Sequence, residues 1–187
     1  MKAPISAADP AVSVTDRPQG PGALMRVAGN PLVRAGLVLG MGFGGLADGI
    51  VLHSILGWHH LICVSATVFC QPTSIEQLQL ENTQDGYFDL ALWIVLVVGT
   101  ALLFRAAHGA NGAWSRRVFL GSLFAGGGLF NFLEGLVDHQ ILGIHHVLPG
   151  SPHQLMFDML YLGNGLMFLA IGLGLILSSS QNSLRRP

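Results

Sequence analysis

Four apolar stretches separated by polar segments dominate the pattern of this chain. They lie at about 34–55, 86–104, 118–138 and 155–177. Each is close to the ~20 residues that a helix needs to cross a bilayer. Pro31 suits the first turn of a helix that leads into the first stretch. The pattern therefore predicts an all-α membrane protein with four transmembrane helices.

Composition and the chain ends support this prediction. Charged residues make up 10 % of the chain, whereas a soluble domain carries about 25 %. Residues 1–30 are rich in Ala, Pro, Gly and Ser and contain no apolar run of signal-peptide length, so we expect a disordered cytoplasmic tail. The predicted four-helix membrane domain covers 31–178, with repeat one at 31–105 and repeat two at 118–178. A short cytoplasmic tail is expected at 179–187.

The distribution of basic residues predicts the orientation. All nine fall on one side of the four-helix arrangement: Lys2, Arg17, Arg26, Arg34, Arg105, Arg116, Arg117, Arg185 and Arg186. The loops at about 56–85 and 139–154 contain no Lys or Arg. The positive-inside rule then places both termini in the cytoplasm. Basic contacts with lipid are the weaker interpretation.

One segment of the chain occurs twice, 86 residues apart. Each copy holds a carboxylate, a histidine five residues later, and a histidine pair after that. The first copy carries Asp48, His53, His59 and His60, and the second carries Glu134, His139, His145 and His146. Carboxylate and imidazole are ligands of zinc, copper, iron and manganese. The duplication predicts either two equivalent metal sites or one shared site.

The repeat unit contains two helices, so both copies are expected to have the same orientation. Two tandem two-helix repeats would then be related by a pseudo-twofold axis along the membrane normal. Gly36, Gly40 and Gly44 recur every four residues in the first helix, and small residues at this spacing allow close helix contacts in lipid. Contact between the first and third helices would bring Asp48 toward Glu134.

The spacing within each copy restricts its geometry. Asp48 and His53 are separated by about 140° around an ideal α-helix. They share a face only if the helix ends or bulges between them. A turn at Gly57, and at Gly143 in the second copy, would fold each histidine pair back over its helix end. The alternative is that each pair reaches across to the other copy.

The second and fourth helices offer further candidates. Phe88-Asp89 and Phe157-Asp158 occupy similar places and extend the repeat to two carboxylates per copy. His153 is a candidate in the second copy only, and Asp85 breaks the symmetry. We expect Asp89, Asp158 and His153 to be metal ligands or partners that orient the imidazoles.

Two cysteines, Cys63 and Cys70, follow the first histidine pair and have no counterpart in the second copy. On an oxidising outer face, a disulfide between them is the favoured interpretation. Binding of Cu(I) by the two thiolates is the alternative.

Two motifs connect the chain to a known family. GFGGLADGIVLH at 42–53 and FNFLEGLVDHQILGIHH at 130–146 resemble a family of bacterial four-helix integral membrane proteins catalogued as a domain of unknown function. The likeness covers about 33–177. It implies the four-helix topology and a location in the bacterial cytoplasmic (inner) membrane, and it assigns no activity.

Together these features predict an integral membrane metalloprotein with a mono- or dinuclear site near the outer face, acting as an oxidase or oxygenase. Copper is favoured by the outer location and the many histidines, with iron or zinc as alternatives. A copper-handling or oxidase-assembly protein is one alternative, and a metal-free proton-relay or structural membrane protein is another. Expected partners are the lipid bilayer and a respiratory or redox membrane protein. The chain has no basic patch for nucleic acid, and its oligomeric state stays open.

Overall fold

The computed structural model describes residues 27–62, 71–109 and 114–184. Its long helices are α1 (Pro31–Asp48), α2 (Ile75–Gly109), α3 (Arg116–Glu134) and α4 (Gln154–Leu184). Two π-helical segments, π1 (Gly49–Ile55) and π2 (Gly135–Ile141), continue α1 and α3 without a break. No β-strand occurs in the described ranges. The predicted all-α class is confirmed.

Four helical segments are long and apolar enough to cross a membrane: Pro31–Ile55, Ile75–Gly109, Arg116–Ile141 and Gln154–Ser179. The four predicted spans are therefore confirmed, but the second helix begins well before the predicted start at 86. Its first three turns are polar and include Glu81 and Asp85. A hydropathy pattern detects only the part of the helix that lipid surrounds.

Local sequence explains where α1 and α3 begin. Asn30 caps α1, since its side chain accepts a hydrogen bond from the backbone N–H of Leu32 at 2.9 Å, and Pro31 follows at the first helical position. Ser115 caps α3 in the same way, with its hydroxyl 3.3 Å from the N–H of Val118. These caps satisfy N–H groups that have no partner within the helix.

Helices α1 and α3 form the central pair, with α2 packed on α1 and α4 packed on α3. Glycines bring the backbones of the central pair together. A Cβ on Gly40 would collide with the carbonyl oxygen of Leu123, and one on Gly126 would collide with that of Leu37. The expected contact between the first and third helices is thus present. It places the ends of α1 and α3, where both histidine segments begin, side by side.

The outer surface of the bundle is apolar along the spans. Large side chains such as Phe43, Trp93, Phe104 and Leu160 are more than half exposed. In a lipid bilayer these side chains face acyl chains instead of water, so their exposure agrees with a membrane protein.

Some sequence predictions fall outside this description. The disulfide between Cys63 and Cys70 lies outside the described residues, as does the tail up to residue 26. Helix α4 continues to Leu184, into the segment expected as the C-terminal tail. The pseudo-twofold axis and the membrane orientation stay predictions.

Candidate metal centre

Both π-helical segments begin directly after the carboxylate residue of a repeat. In a π-helix each N–H bonds to the carbonyl five residues earlier, so positions five apart lie one turn apart. The Nε2 of His53 consequently lies 3.3 Å from Oδ2 of Asp48. The Nε2 of His139 lies 3.0 Å from Oε1 of Glu134. The bulge that the five-residue spacing requires is therefore present in both copies.

A glycine turn follows each π-helix. Gly57 has φ +57° and Gly143 has φ +58°, a left-handed conformation that glycine adopts without steric cost. The turn sends His59 and His145 across to the opposite half of the protein. The Nδ1 of His59 donates to the carbonyl oxygen of Val147 at 2.9 Å, and that of His145 donates to the carbonyl oxygen of Leu61 at 3.0 Å.

Four buried imidazoles meet where the two halves cross: His53, His59, His139 and His145. The rings of His59 and His145 stack with centroids 4.7 Å apart. Two overlapping groups have ligand atoms within 4.8 Å of one another. One group is His53, His59 and His145, and the other is Glu134, His139 and His145. Because His145 belongs to both, they form a single centre, which we call the four-histidine centre.

An aspartate holds the outer side of each half of this centre. Oδ1 of Asp85 accepts from Nδ1 of His53 at 3.0 Å and its Oδ2 accepts from Nδ1 of His60 at 2.6 Å. Asp158 similarly accepts from Nδ1 of His146 at 2.7 Å and lies 3.8 Å from Nδ1 of His139. Asp85 and Asp158 also accept from the backbone N–H of Leu61 and Val147, respectively.

These contacts differ from the sequence pairing of Asp89 with Asp158. Asp85, which the sequence treats as an interruption of the symmetry, makes the contacts that match those of Asp158. The reason is loop length: His60 precedes Asp85 by 25 residues, whereas His146 precedes Asp158 by 12. Asp89 lies one turn further along α2, against Gly49. Its Oδ1 is buried without a hydrogen-bond partner in the described part of the chain.

The remaining predicted ligands lie around the centre. The Nε2 of His60 is 3.7 Å from Oε2 of Glu81. The side chain of His146 is 31 % exposed. His153 is exposed in the turn before α4, and its backbone N–H donates to Oγ of Ser151 at 3.1 Å. The structure thus brings six of the predicted residues into the centre: Asp48, His53, His59, Glu134, His139 and His145.

Two aromatic residues at the centre are absent from the sequence-based set. The ring of Phe88 stacks on His53 with centroids 5.5 Å apart. The ring of Tyr161 lies 5.3 Å from that of His139, and its hydroxyl is buried near Asp48 and Glu134. Each aromatic residue follows the anchoring aspartate of its helix by three positions, a spacing that shares one helix face. That shared spacing is the sequence signal that would have found them together with Asp85.

The loop histidines differ in protonation. Burial, with smaller contributions from His145 and His53, lowers the pKa of His59 to about 3. Its imidazole is therefore neutral, as a metal ligand must be. The hydrogen bond to Asp85 raises the pKa of His60 above its usual value. His59 therefore favours the neutral form, whereas His60 favours the protonated form.

The comparison with known families agrees with this architecture. A family model described as predicted membrane protein (DUF2243) matches residues 35–179. The chain belongs to this family. The match contains both histidine segments and covers nearly the whole of all four spanning segments. No curated protein and no solved structure matches the chain. The family is a domain of unknown function.

The chemistry of the four-histidine centre in this family member suits a cation. Within the described residues, several buried atoms have no hydrogen-bond partner: both carboxylate oxygens of Asp48, Oε2 of Glu134, and Nε2 of His53 and His59. An imidazole whose Nδ1 donates its proton presents Nε2 only as an acceptor. The centre thus collects acceptors that face one another, and a bound cation would satisfy them.

Proposed function

We propose that this family member is a membrane metalloprotein that binds a transition metal at its four-histidine centre. The proposed ligands are four imidazoles and two carboxylates: His53, His59, His139, His145, Asp48 and Glu134. One observation carries the proposal. The imidazole Nε2 atoms face inward, while three of the four Nδ1 atoms are anchored by an acceptor outside the centre, as in the outer shell of known metal sites.

The donor set narrows the choice of metal. Imidazole suits copper, iron and zinc, and carboxylate oxygens are compatible with each. We favour copper because the site is expected at the outer face of the membrane. Iron and zinc are the alternatives. Six candidate ligands exceed the four of a structural zinc site. They support either a dinuclear site or a mononuclear site that uses only some of them at a time.

We further propose a redox role, as an oxidase or oxygenase. A redox-active metal would supply electron transfer and activation of O2. The chain's own contribution is to exclude water and to position proton carriers. Asp48 and Glu134, which contact the imidazoles of His53 and His139, would carry the protons. Asp85 and Asp158 hold the imidazoles in one tautomer.

Within this proposal His60 and His146 act outside the ligand set. Each donates to the aspartate that also faces a π-helix histidine, and so restrains that aspartate. His60 makes this contact at 2.6 Å and His146 at 2.7 Å. Asp89 and His153 are assigned no ligand role.

A metal-free proton relay is the second candidate, favoured by a specific chain of contacts. Asp48, His53, Asp85 and His60 alternate carboxylate and imidazole, with successive distances of 3.3, 3.0 and 2.6 Å. Such alternating groups are typical of proton pathways in membranes. The presence or absence of bound metal separates the two candidates.

The test is metal content per chain, measured by mass spectrometry on protein purified in mild detergent with an affinity tag that contains no histidine. We expect near-stoichiometric metal in the parent protein and loss of metal in His145→Ala and Glu134→Ala. His145 is the decisive position because both candidate ligand groups contain it. His145→Gln, with a comparable elution profile in size-exclusion chromatography, controls for loss of folding.

The matched controls are His108→Ala and His153→Ala, two exposed histidines outside the centre. Both variants should retain the metal of the parent. A His145→Ala protein that retains metal as the parent does would show that the centre is wrongly placed. Absence of metal after reconstitution with copper, iron, zinc and manganese would favour the relay. Rapid loss of metal to a mild chelator would favour a copper-handling protein over an enzyme.

A further inference from the structure

An apolar groove runs along the outside of the bundle toward the four-histidine centre. Helices α1, α3 and α4 line a cavity of about 480 Å³, within the range of about 300–1,000 Å³ of small-molecule pockets. Its lining includes Phe43, Phe124 and Phe168, and the rings of the last two stack with centroids 5.6 Å apart. Along α3 the lining extends from Leu120 to Asn131, a length of about 16 Å.

The polar groups of the groove lie at one end. Asn131 and Asn164 are its only amide side chains, at the end nearest the histidine segments. Oδ1 of Asn131 is buried and has no hydrogen-bond partner in the described part of the chain. A buried acceptor of this kind is destabilising unless a donor meets it. The groove is thus apolar along most of its length and has an unpaired hydrogen-bond acceptor at one end.

This polar end adjoins the proposed metal site. Asn131 precedes Glu134 by three residues on α3, and the groove residue Ala47 directly precedes Asp48. A molecule whose head group reached Asn131 would lie within one helical turn of both carboxylates of the centre.

The two amides of the groove are not repeated between α1, α3 and α2. Under the 86-residue offset of the repeat, Asn131 corresponds to Gly45, and the ring of Phe130 packs against that glycine. Under the 73-residue offset that relates Asp85 to Asp158, Asn164 corresponds to Ala91. Neither amide exists on that side.

We infer that this groove binds a lipid-soluble quinol beside the four-histidine centre, which names the ligand class of the proposed metal site and rests on that proposal. The aromatic head group meets Phe43 at the amide end, its hydroxyl donates to Oδ1 of Asn131, and its tail lies along Phe124 and Phe168. The reduced form fits better than the quinone, because Oδ1 needs a donor. Entry is sideways from the membrane, where such molecules dissolve.

The test measures binding of a benzoquinol with a ten-carbon tail to the full-length protein in mild detergent, by equilibrium dialysis. We expect saturable binding, tighter for the quinol than for the corresponding quinone. Asn131→Leu should raise the Kd about tenfold, the value of one hydrogen bond. Ala47→Trp should abolish binding by filling the groove. Ala91→Trp adds the same bulk at an exposed position of α2 and should bind as the parent does.

Metal content is measured on the same samples, which separates this inference from the proposed function. Quinol binding by a protein that holds no metal would leave the groove standing and overturn the metal centre. Stoichiometric metal without saturable quinol binding would support the metal centre and overturn the quinol assignment. Equal competition by 1-decanol, or unchanged binding in Asn131→Leu and Ala47→Trp, would overturn the quinol assignment and show a groove that accepts any acyl chain.

Discussion

Asp85 illustrates how a single side chain determines the geometry of the centre. Its two oxygens accept from His53, His60 and the backbone of Leu61. Two imidazoles and one loop are therefore fixed by one carboxylate. An amide in its place can accept through one oxygen only, and its NH2 group would face a donor.

We predict that Asp85→Asn lowers metal affinity about 10–100-fold, the usual effect of removing an outer-shell partner of a ligating histidine. The measurement is competition with a metal chelator, with metal content read at each chelator concentration. Asp89→Asn is the matched control, four residues away on the same helix, and should keep the affinity of the parent. A larger loss of metal affinity in Asp89→Asn than in Asp85→Asn would support Asp89 as the metal ligand or orienting partner that the sequence predicts.

At the scale of single residues, the sequence predicts most side chains of the four-histidine centre but does not predict Asp85. The duplicated spacing is enough to select Asp48, Glu134 and the histidines. It does not distinguish His59 from His60, because that depends on which ring crosses to the other half after the Gly57 turn. Asp85 is missed because the loop before it is longer than the one before Asp158, so simple alignment of the two halves selects Asp89.

Close backbone contact is the decisive feature at the scale of helices. Helices α1 and α3 meet at glycines, and this contact holds Asp48 and Glu134 on the same side of the bundle. A methyl group on Gly40 has no free space, since the carbonyl oxygen of Leu123 and the backbone of Gly126 occupy it. The backbones would have to separate to admit it.

We predict that Gly40→Ala lowers the free energy of unfolding in detergent by about 1–3 kcal/mol, as overpacking does in other interiors. Gly174→Ala on α4 is the control, because a Cβ there meets nothing within 4 Å, and it should leave stability at or above that of the parent. The measurement is unfolding by a denaturing detergent followed by circular dichroism. Equal stability of the two variants would contradict the packing of α1 on α3.

Helix boundaries show what an apolar pattern can and cannot predict. The four spans follow from hydropathy because lipid selects long apolar segments. The polar start of α2 at Ile75 does not, since the helix there extends beyond the apolar stretch and packs its acidic face against the loop. The π-helices are visible in the sequence only as a spacing that an α-helix cannot satisfy, five residues between a carboxylate and its histidine.

Orientation belongs to the molecule as a whole. Among the described residues, Arg34, Arg105, Arg116 and Arg117 lie at the end of the bundle opposite the four-histidine centre, and we predict that both termini are cytoplasmic. Fusion of a fluorescent reporter to the C-terminus should give fluorescence, and alkaline phosphatase fused there should be inactive. Fusion of phosphatase after Gly150, in the turn before α4, should give active enzyme. The reverse pattern would place the four-histidine centre on the cytoplasmic side and remove the main reason to favour copper.

The crossing of the two loops has a consequence for biosynthesis. His59 belongs to the first half, yet the carbonyl that holds it belongs to Val147, which the ribosome adds 88 residues later. An insertion intermediate that contains only α1 and α2 therefore has an unfinished ligand. The first half therefore cannot complete the centre before the second half is made. A complete centre forms only after both halves have been inserted into the membrane.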